Sequence, residues 1–172
     1  MLIALEQVTA PLVLEGHAYW RSKQREGKLP ARADIVPSEI KRLLPNVILS
    51  DVLRAPFDIR FRLTGTRVVE MNGVDLTGRR LNYGVAQPEW RDYWLRIYSR
   101  VADTGQPAFG ADSYAYRNRS HASLQWCLLP LAADGRTVDM IFEVEAYDAD
   151  ARPGEGVARL VTEPPSALPD PG

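Results

Sequence analysis

The stretch PEWRDYWLRIYSRVADTG, Pro88 to Gly105, decides the fold, because it is the one strongly helical segment with strand patterns on both sides. Pro88 suits a first helical turn and Gly105 is a stop signal. Between them Trp90, Trp94, Ile97 and Val101 recur at i, i+4, i+7 and i+11, a continuous apolar stripe flanked by Tyr93 and Tyr98. Working backwards, Phe57 to Thr64 alternates: Phe57, Ile59, Phe61 and Leu63 on one face, Asp58, Arg60, Arg62 and Thr64 on the other. That is a half-buried strand. Val47 to Leu53 is apolar apart from Asp51, which predicts a central strand joined to the next by a short turn at Ala55-Pro56. Working forwards, strands are predicted over Phe109 to Tyr116, His121 to Leu131 and Thr137 to Tyr147, the last two joined by an Asp134-Gly135 hairpin signal. In the final strand Val138, Met140, Phe142, Val144 and Ala146 face one way, with Asp139, Glu143 and Glu145 opposite. Two strands, a helical insertion and three strands predict an α+β fold: a five-stranded antiparallel sheet with helices packed on one face. A parallel βαβ scheme is disfavoured, since only one strong helix separates strands.

Outside this unit the pattern weakens. A helix is predicted from about Leu12 to Glu26, with Val13, His17, Trp20 and Gln24 on one stripe and Gly27 behind it. An ordered loop then leads to a short helix at Pro37, whose apolar side is Ile40, Leu43 and Leu44. Another short helix is read around Thr66 to Met71, followed by turns up to Gln87. The chain divides into an N-terminal helical extension (1–45), the sheet-bearing domain (46–148) and a tail (149–172). Five of the thirteen prolines fall in that tail, so it is expected to be a flexible extension.

With 172 residues, 45% hydrophobic and 25% charged, the chain suits one globular domain. A formal net charge of −1 provides no global attraction for nucleic acid or an anionic bilayer. The single cysteine, Cys127, excludes an internal disulfide and a cysteine-based metal cluster. The first residues lack the basic start of a signal peptide, and no apolar run approaches the roughly 20 residues of a membrane span. A cytoplasmic location, with neither nucleic acid nor membrane as partner, is the expectation.

Several short motifs recur in one order: Tyr19-Trp20, Leu29-Pro30-Ala31-Arg32-Ala33-Asp34-Ile35-Val36-Pro37, Leu44-Pro45-Asn46-Val47, Asp51-Val52, Arg62-Leu63-Thr64-Gly65-Thr66, Leu76-Thr77-Gly78-Arg79 and Leu129-Pro130-Leu131 before Asp134-Gly135. In this, and in its strand–strand–helices–strand–strand–strand order, the chain resembles a bacterial PAS-like family, over roughly Tyr19 to Tyr147. The resemblance implies a sensory or regulatory fold and specifies no ligand or cofactor. It also implies association through the N-terminal helix, in a homodimer or with a protein of a signalling pathway, with Tyr19 and Trp20 as anchors.

A ligand compartment in such a fold lies between the helices and the inner face of the sheet. Its candidate walls are Phe61, Trp94, Ile97, Met140 and Phe142, which suit a small apolar or aromatic molecule. The plainer account of the same side chains is a filled core, and the module would then act by protein contact alone. Arg32 and Asp34 are either a charged anchor for a ligand or partner, or a local brace in which Asp34 accepts backbone N–H bonds and Arg32 pairs with a carboxylate. Arg60 and Arg62 are read as solvated, and Lys41-Arg42 with Arg79-Arg80 is too sparse for nucleic acid. His17 and His121 are the only histidines and neither lies on the long helix, where a haem-binding PAS domain carries its axial ligand. Cys127, between Trp126 and Leu128 in a strand, reads as a small buried hydrophobe rather than a photoreactive thiol. Ser120, His121 and Ser123 alternate in direction on a strand and do not converge as a triad. An acid–base enzyme would place a carboxylate or histidine on an inner strand face. The alternation puts Phe57 to Leu63 and Val138 to Ala146 inward as apolar rows, so the expectation is a non-enzymatic module.

Overall fold

The computed structural model describes residues 1–84, 88–116 and 119–147. Among these, six strands form one antiparallel sheet: β1 (Leu2–Ile3), β2 (Val47–Arg54), β3 (Phe57–Thr64), β4 (Ala108–Tyr116), β5 (Arg119–Leu131) and β6 (Met140–Tyr147), in the order β1-β4-β5-β6-β2-β3. Five are those expected. The sixth, β1, pairs Leu2 with Gly110 and Ile3 with Phe109, and is too short to carry an alternation signal. The 149–172 tail lies outside the described residues.

Helix α1 (Pro11–Ser22) precedes β2, and the insertion between β3 and β4 holds α2 (Thr66–Asn72), α3 (Leu81–Gly84) and α4 (Pro88–Thr104). The short helix expected at Pro37 resolves into two 3-10 turns, Pro37–Glu39 and Leu44–Asn46, because the backbone leaves helical geometry at Ile40, with φ −118° and ψ 28°. Trp90, Trp94, Ile97 and Val101 of α4 are all buried against the sheet, together with Ile48, Ile59, Phe61, Trp126 and Leu128. The opposite face is also covered. There α1 lays Val13 and Trp20 over Val47, Cys127, Leu129, Phe142 and Val144.

The close approach of α1 depends on Gly16. A Cβ at that position would stand 2.7 Å from Val144 Cγ2, a stiff β-branched side chain on the buried central strand. Gly16→Val is therefore expected to lift α1 from the sheet and lower stability by about 2 kcal/mol in urea unfolding.

Two-sided burial overturns one expectation. Met140, Phe142, Val144 and Ala146 point to the α1 layer, not to α4. The inward row of β6 is Ile141, Glu143, Glu145 and Tyr147, because Ile141 shares a register row with Ser50 and Glu143 one with Ile48 and Leu128. Val138 does lie in the α4 compartment, but it precedes the strand and does not share its phase. A second correction concerns Leu63. Between Leu49 and Ser50 the register advances by one residue in β2 and by two in β3, from Leu63 to Phe61, so Arg62 is an inserted residue. The bulge turns Leu63 out of the inner row and leaves it 41% exposed.

Candidate functional site

Beneath α4 the sheet presents carboxylates in an otherwise apolar and aromatic compartment. Glu143 is 2% exposed and Glu145 is fully buried. The Tyr98 hydroxyl, from α4, donates to Glu143 Oε2 at 2.5 Å, and the Tyr147 hydroxyl donates to Glu145 Oε2. A short O–H···O⁻ bond of this kind is a strong one. Asn46 Nδ2 donates to the Glu145 backbone oxygen at 2.6 Å and so ties the turn before β2 to β6. Farther along the same face Trp126 Nε1 donates to Asp112 Oδ2 at 2.7 Å, and the Trp126 indole lies 5.0 Å from Trp94, centroid to centroid. Gly110, paired with Trp126 across β4 and β5, gives the indole its room: a Cβ there would fall 2.1 Å from Trp126 Cζ2.

These surroundings act on the phenols. Burial, then the charge of Glu143 and its hydrogen bond, hold the Tyr98 hydroxyl well above the usual tyrosine range. Burial, followed by the Asp112 charge, raises Tyr93 as well. Tyr93 stacks edge-on between Trp90 at 5.6 Å and Trp94 at 5.5 Å. Its hydroxyl is buried and has no hydrogen-bond partner among the described residues.

The residues singled out from sequence divide between the two layers. Phe61, Trp94 and Ile97 are together on the α4 side, whereas Met140 and Phe142 are on the α1 side, so the five do not line one compartment. A half-open cavity of about 380 Å³ exists elsewhere, bounded by Leu2, Leu5, Val101, Pro107 and Phe109, and includes none of the five. Trp20 is turned into its own domain: it is 3% exposed and its Nε1 donates to the Pro130 carbonyl at 2.8 Å. It is therefore not displayed as a surface anchor. Tyr19 fastens α1 to the following segment, accepting from Val36 N–H at 2.9 Å and donating to Glu39 Oε2 at 2.9 Å. Asp34 Oδ2 accepts the Ala31 N–H at 2.8 Å, and Arg32 Nη1 donates to the Ile35 carbonyl at 2.9 Å rather than to a carboxylate. Arg32 and Asp34 thus brace one turn. His17 lies between Trp20 and Phe109 on the α1 side, with burial and then Arg21 pulling it below the usual imidazole range. The side chain of His121 lies outside what the structure describes. Cys127 is fully buried, and burial raises its thiol far above the usual range.

Glu143 and Glu145 were not foreseen as site residues, yet the sequence carried a signal. Residues 127–131 of β5 are apolar at every position, which marks a strand buried on both faces. The strand beside it must then be covered on both faces too, which forces its two glutamates indoors.

An antiparallel sheet with helices inserted between its second and third long strands, packed around α4, is a PAS-like architecture. A family model described as a PAS domain matches residues 9–144, and the chain belongs to that family. No curated protein matches it. Membership makes it a domain of the sensory, regulatory or interaction type. No helix among the described residues is long and apolar enough to cross a membrane.

Proposed function

We propose that this PAS domain is a sensory or regulatory module that takes a small molecule with an apolar or aromatic body between α4 and the inner face of the sheet, and signals by contact with another protein. The observation that supports it is the Tyr93 hydroxyl, buried among Trp90 and Trp94 without a partner among the described residues. A buried hydroxyl left unpaired costs about 1–3 kcal/mol, which an acceptor group on a ligand would recover. The reading is non-enzymatic. Glu143 and Glu145 stand where an acid–base enzyme would want a carboxylate, but each already accepts a hydrogen bond from a tyrosine.

Native mass spectrometry of the purified protein, beside extraction of the denatured protein, tests it. A recurring bound small molecule is expected, and Tyr93→Phe should lose it while leaving the ligand-free domain at least as stable. Retention of the molecule by Tyr93→Phe would remove the support. A filled-core interaction module is the second reading. It is favoured by the full burial of Ile97 and the close Trp94–Trp126 contact, and repeated recovery of protein without any bound molecule would establish it.

A further inference from the structure

The strand farthest from β1, β3, carries a concentration of positive charge on its outer face. On the outer face of β3, Arg60 Nε and Nη2 both donate to Asp51 Oδ2, at 3.0 and 2.8 Å, and Arg62 Nε donates to Asp51 Oδ1 at 2.9 Å. One carboxylate therefore holds two guanidinium groups. The segment after α2 then runs along the free edge of β3: Gly78 N–H donates to the Phe61 carbonyl at 2.7 Å and Phe61 N–H to the Arg79 carbonyl at 2.9 Å. This places Arg80 directly across from Arg60 as a bridge partner, on the same face. Like charges in that relation repel and destabilise the pairing. Arg80 is exposed and forms no ion pair among the described residues. Arg60, Arg62 and Arg80 outnumber the two carboxylates of that face, Asp51 and the buried Asp58, which accepts the Ile59 and Asn82 N–H groups, and Leu63 is exposed beside Arg62.

We propose that Arg60, Arg62 and Arg80 form a docking surface for an acidic segment of a partner protein. The inference rests on the reading that the module signals by protein contact, and identifies where that contact falls. Carboxylate is the favoured group because Asp51 already shows how these forks hold one, with Arg60 giving two N–H bonds to a single oxygen. So small a local surplus, on a chain of net charge −1, does not suit a nucleic-acid backbone, which is bound by many phosphate contacts. Leu63 adds an apolar contact that a peptide side chain can meet.

Selection of random short peptides displayed on phage, using the full chain as bait, tests this without a named partner. The recovered peptides are expected to carry clustered Asp or Glu, and their binding, read by fluorescence anisotropy, should fall with added salt. Arg80→Glu should weaken them by more than about tenfold. The same substitution should leave the melting temperature unchanged or raised, because it puts a carboxylate across from Arg60. Arg25→Gln, on a separate exposed turn, should leave binding as it was. Recovered peptides without acidic enrichment, peptides indifferent to Arg80→Glu, or an oligonucleotide that binds the patch more tightly than they do, would overturn the proposal. Such a failure would leave the bound-molecule test of the previous section unaffected, so the two outcomes are separable.

Discussion

Raising the pH above about 9 is expected to unfold this domain steeply, through three buried acids that the folded chain holds in their neutral forms. Cys127 is fully buried, and Tyr93 and Tyr98 are each 2% exposed. Burial is the largest cause of the upward shift in all three, and the charges of Asp112 on Tyr93 and Glu143 on Tyr98 and Cys127 add to it. A group whose pKa is higher folded than unfolded contributes its full stability below the unfolded value and loses it as pH rises beyond. The unfolded thiol releases its proton near pH 8.5 and the unfolded phenols near pH 10. Above each of those values the folded state retains a proton that the unfolded state has lost, so stability falls by about 1.4 kcal/mol per pH unit for each group. Beyond about pH 10 the three together give a slope of roughly 4 kcal/mol per unit, enough to exhaust an ordinary domain stability within about two to three units. Urea midpoints measured across the alkaline range should show onset with the thiol and steepening with the phenols. Cys127→Ala should remove the early part of the loss, and Tyr93→Phe or Tyr98→Phe should each flatten the late slope by about 1.4 kcal/mol per unit. A wild-type stability that stays level to about pH 11 would show that these groups are not held neutral by the fold.

The strongly periodic elements were legible in the sequence. The span of α4 from Pro88 to Thr104 follows from its cap and stripe, and β3 from Phe57 to Thr64 follows from its alternation. What alternation does not convey is which of two faces a row belongs to when both are buried. Met140-Phe142-Val144 looks like the row for α4, but α1 is equally able to cover it, and the closeness of Gly16 to Val144 shows how tightly it does so. Two polar residues at alternate positions normally mean solvent. In β6 they mean a compartment where phenols take the place of water, Tyr98 of α4 for Glu143 and Tyr147 of β6 itself for Glu145. Leu63 was lost for a different reason: a single inserted residue inverts the phase of everything beyond it, and no composition signal at Arg62 announces it. The brace at Asp34 was readable because an aspartate in a short turn has few other acceptor duties.

Tyr98→Phe is expected to destabilise the domain by about 3 kcal/mol, near the top of the range for one polar atom, because it strips a donor from a carboxylate that water does not reach. Glu143 and Tyr98 are each 2% exposed and their bond is 2.5 Å long, so no solvent stands ready to replace the lost hydroxyl. Glu143→Gln, which keeps the shape and an acceptor oxygen for the phenol, should cost less, about 1 kcal/mol. The combination of Tyr98→Phe with Glu143→Leu should recover most of what Tyr98→Phe alone loses, since removing both partners eliminates the buried charge along with its donor. Guanidine or urea unfolding of the wild type, Tyr98→Phe, Glu143→Leu and their combination, read as a thermodynamic cycle, isolates the coupling between α4 and β6. A coupling of about 2 kcal/mol would mean that the register of α4 on the sheet is set by a phenol–carboxylate hydrogen bond rather than by its tryptophans. That arrangement suits a sensor better than a plain core does: a hydrogen-bond network has discrete arrangements that an entering polar group can exchange, whereas packed rings can only be displaced. Coupling near zero would return the seating of α4 to Trp94, Ile97 and Val101, and with it the second reading of a filled, ligand-free module.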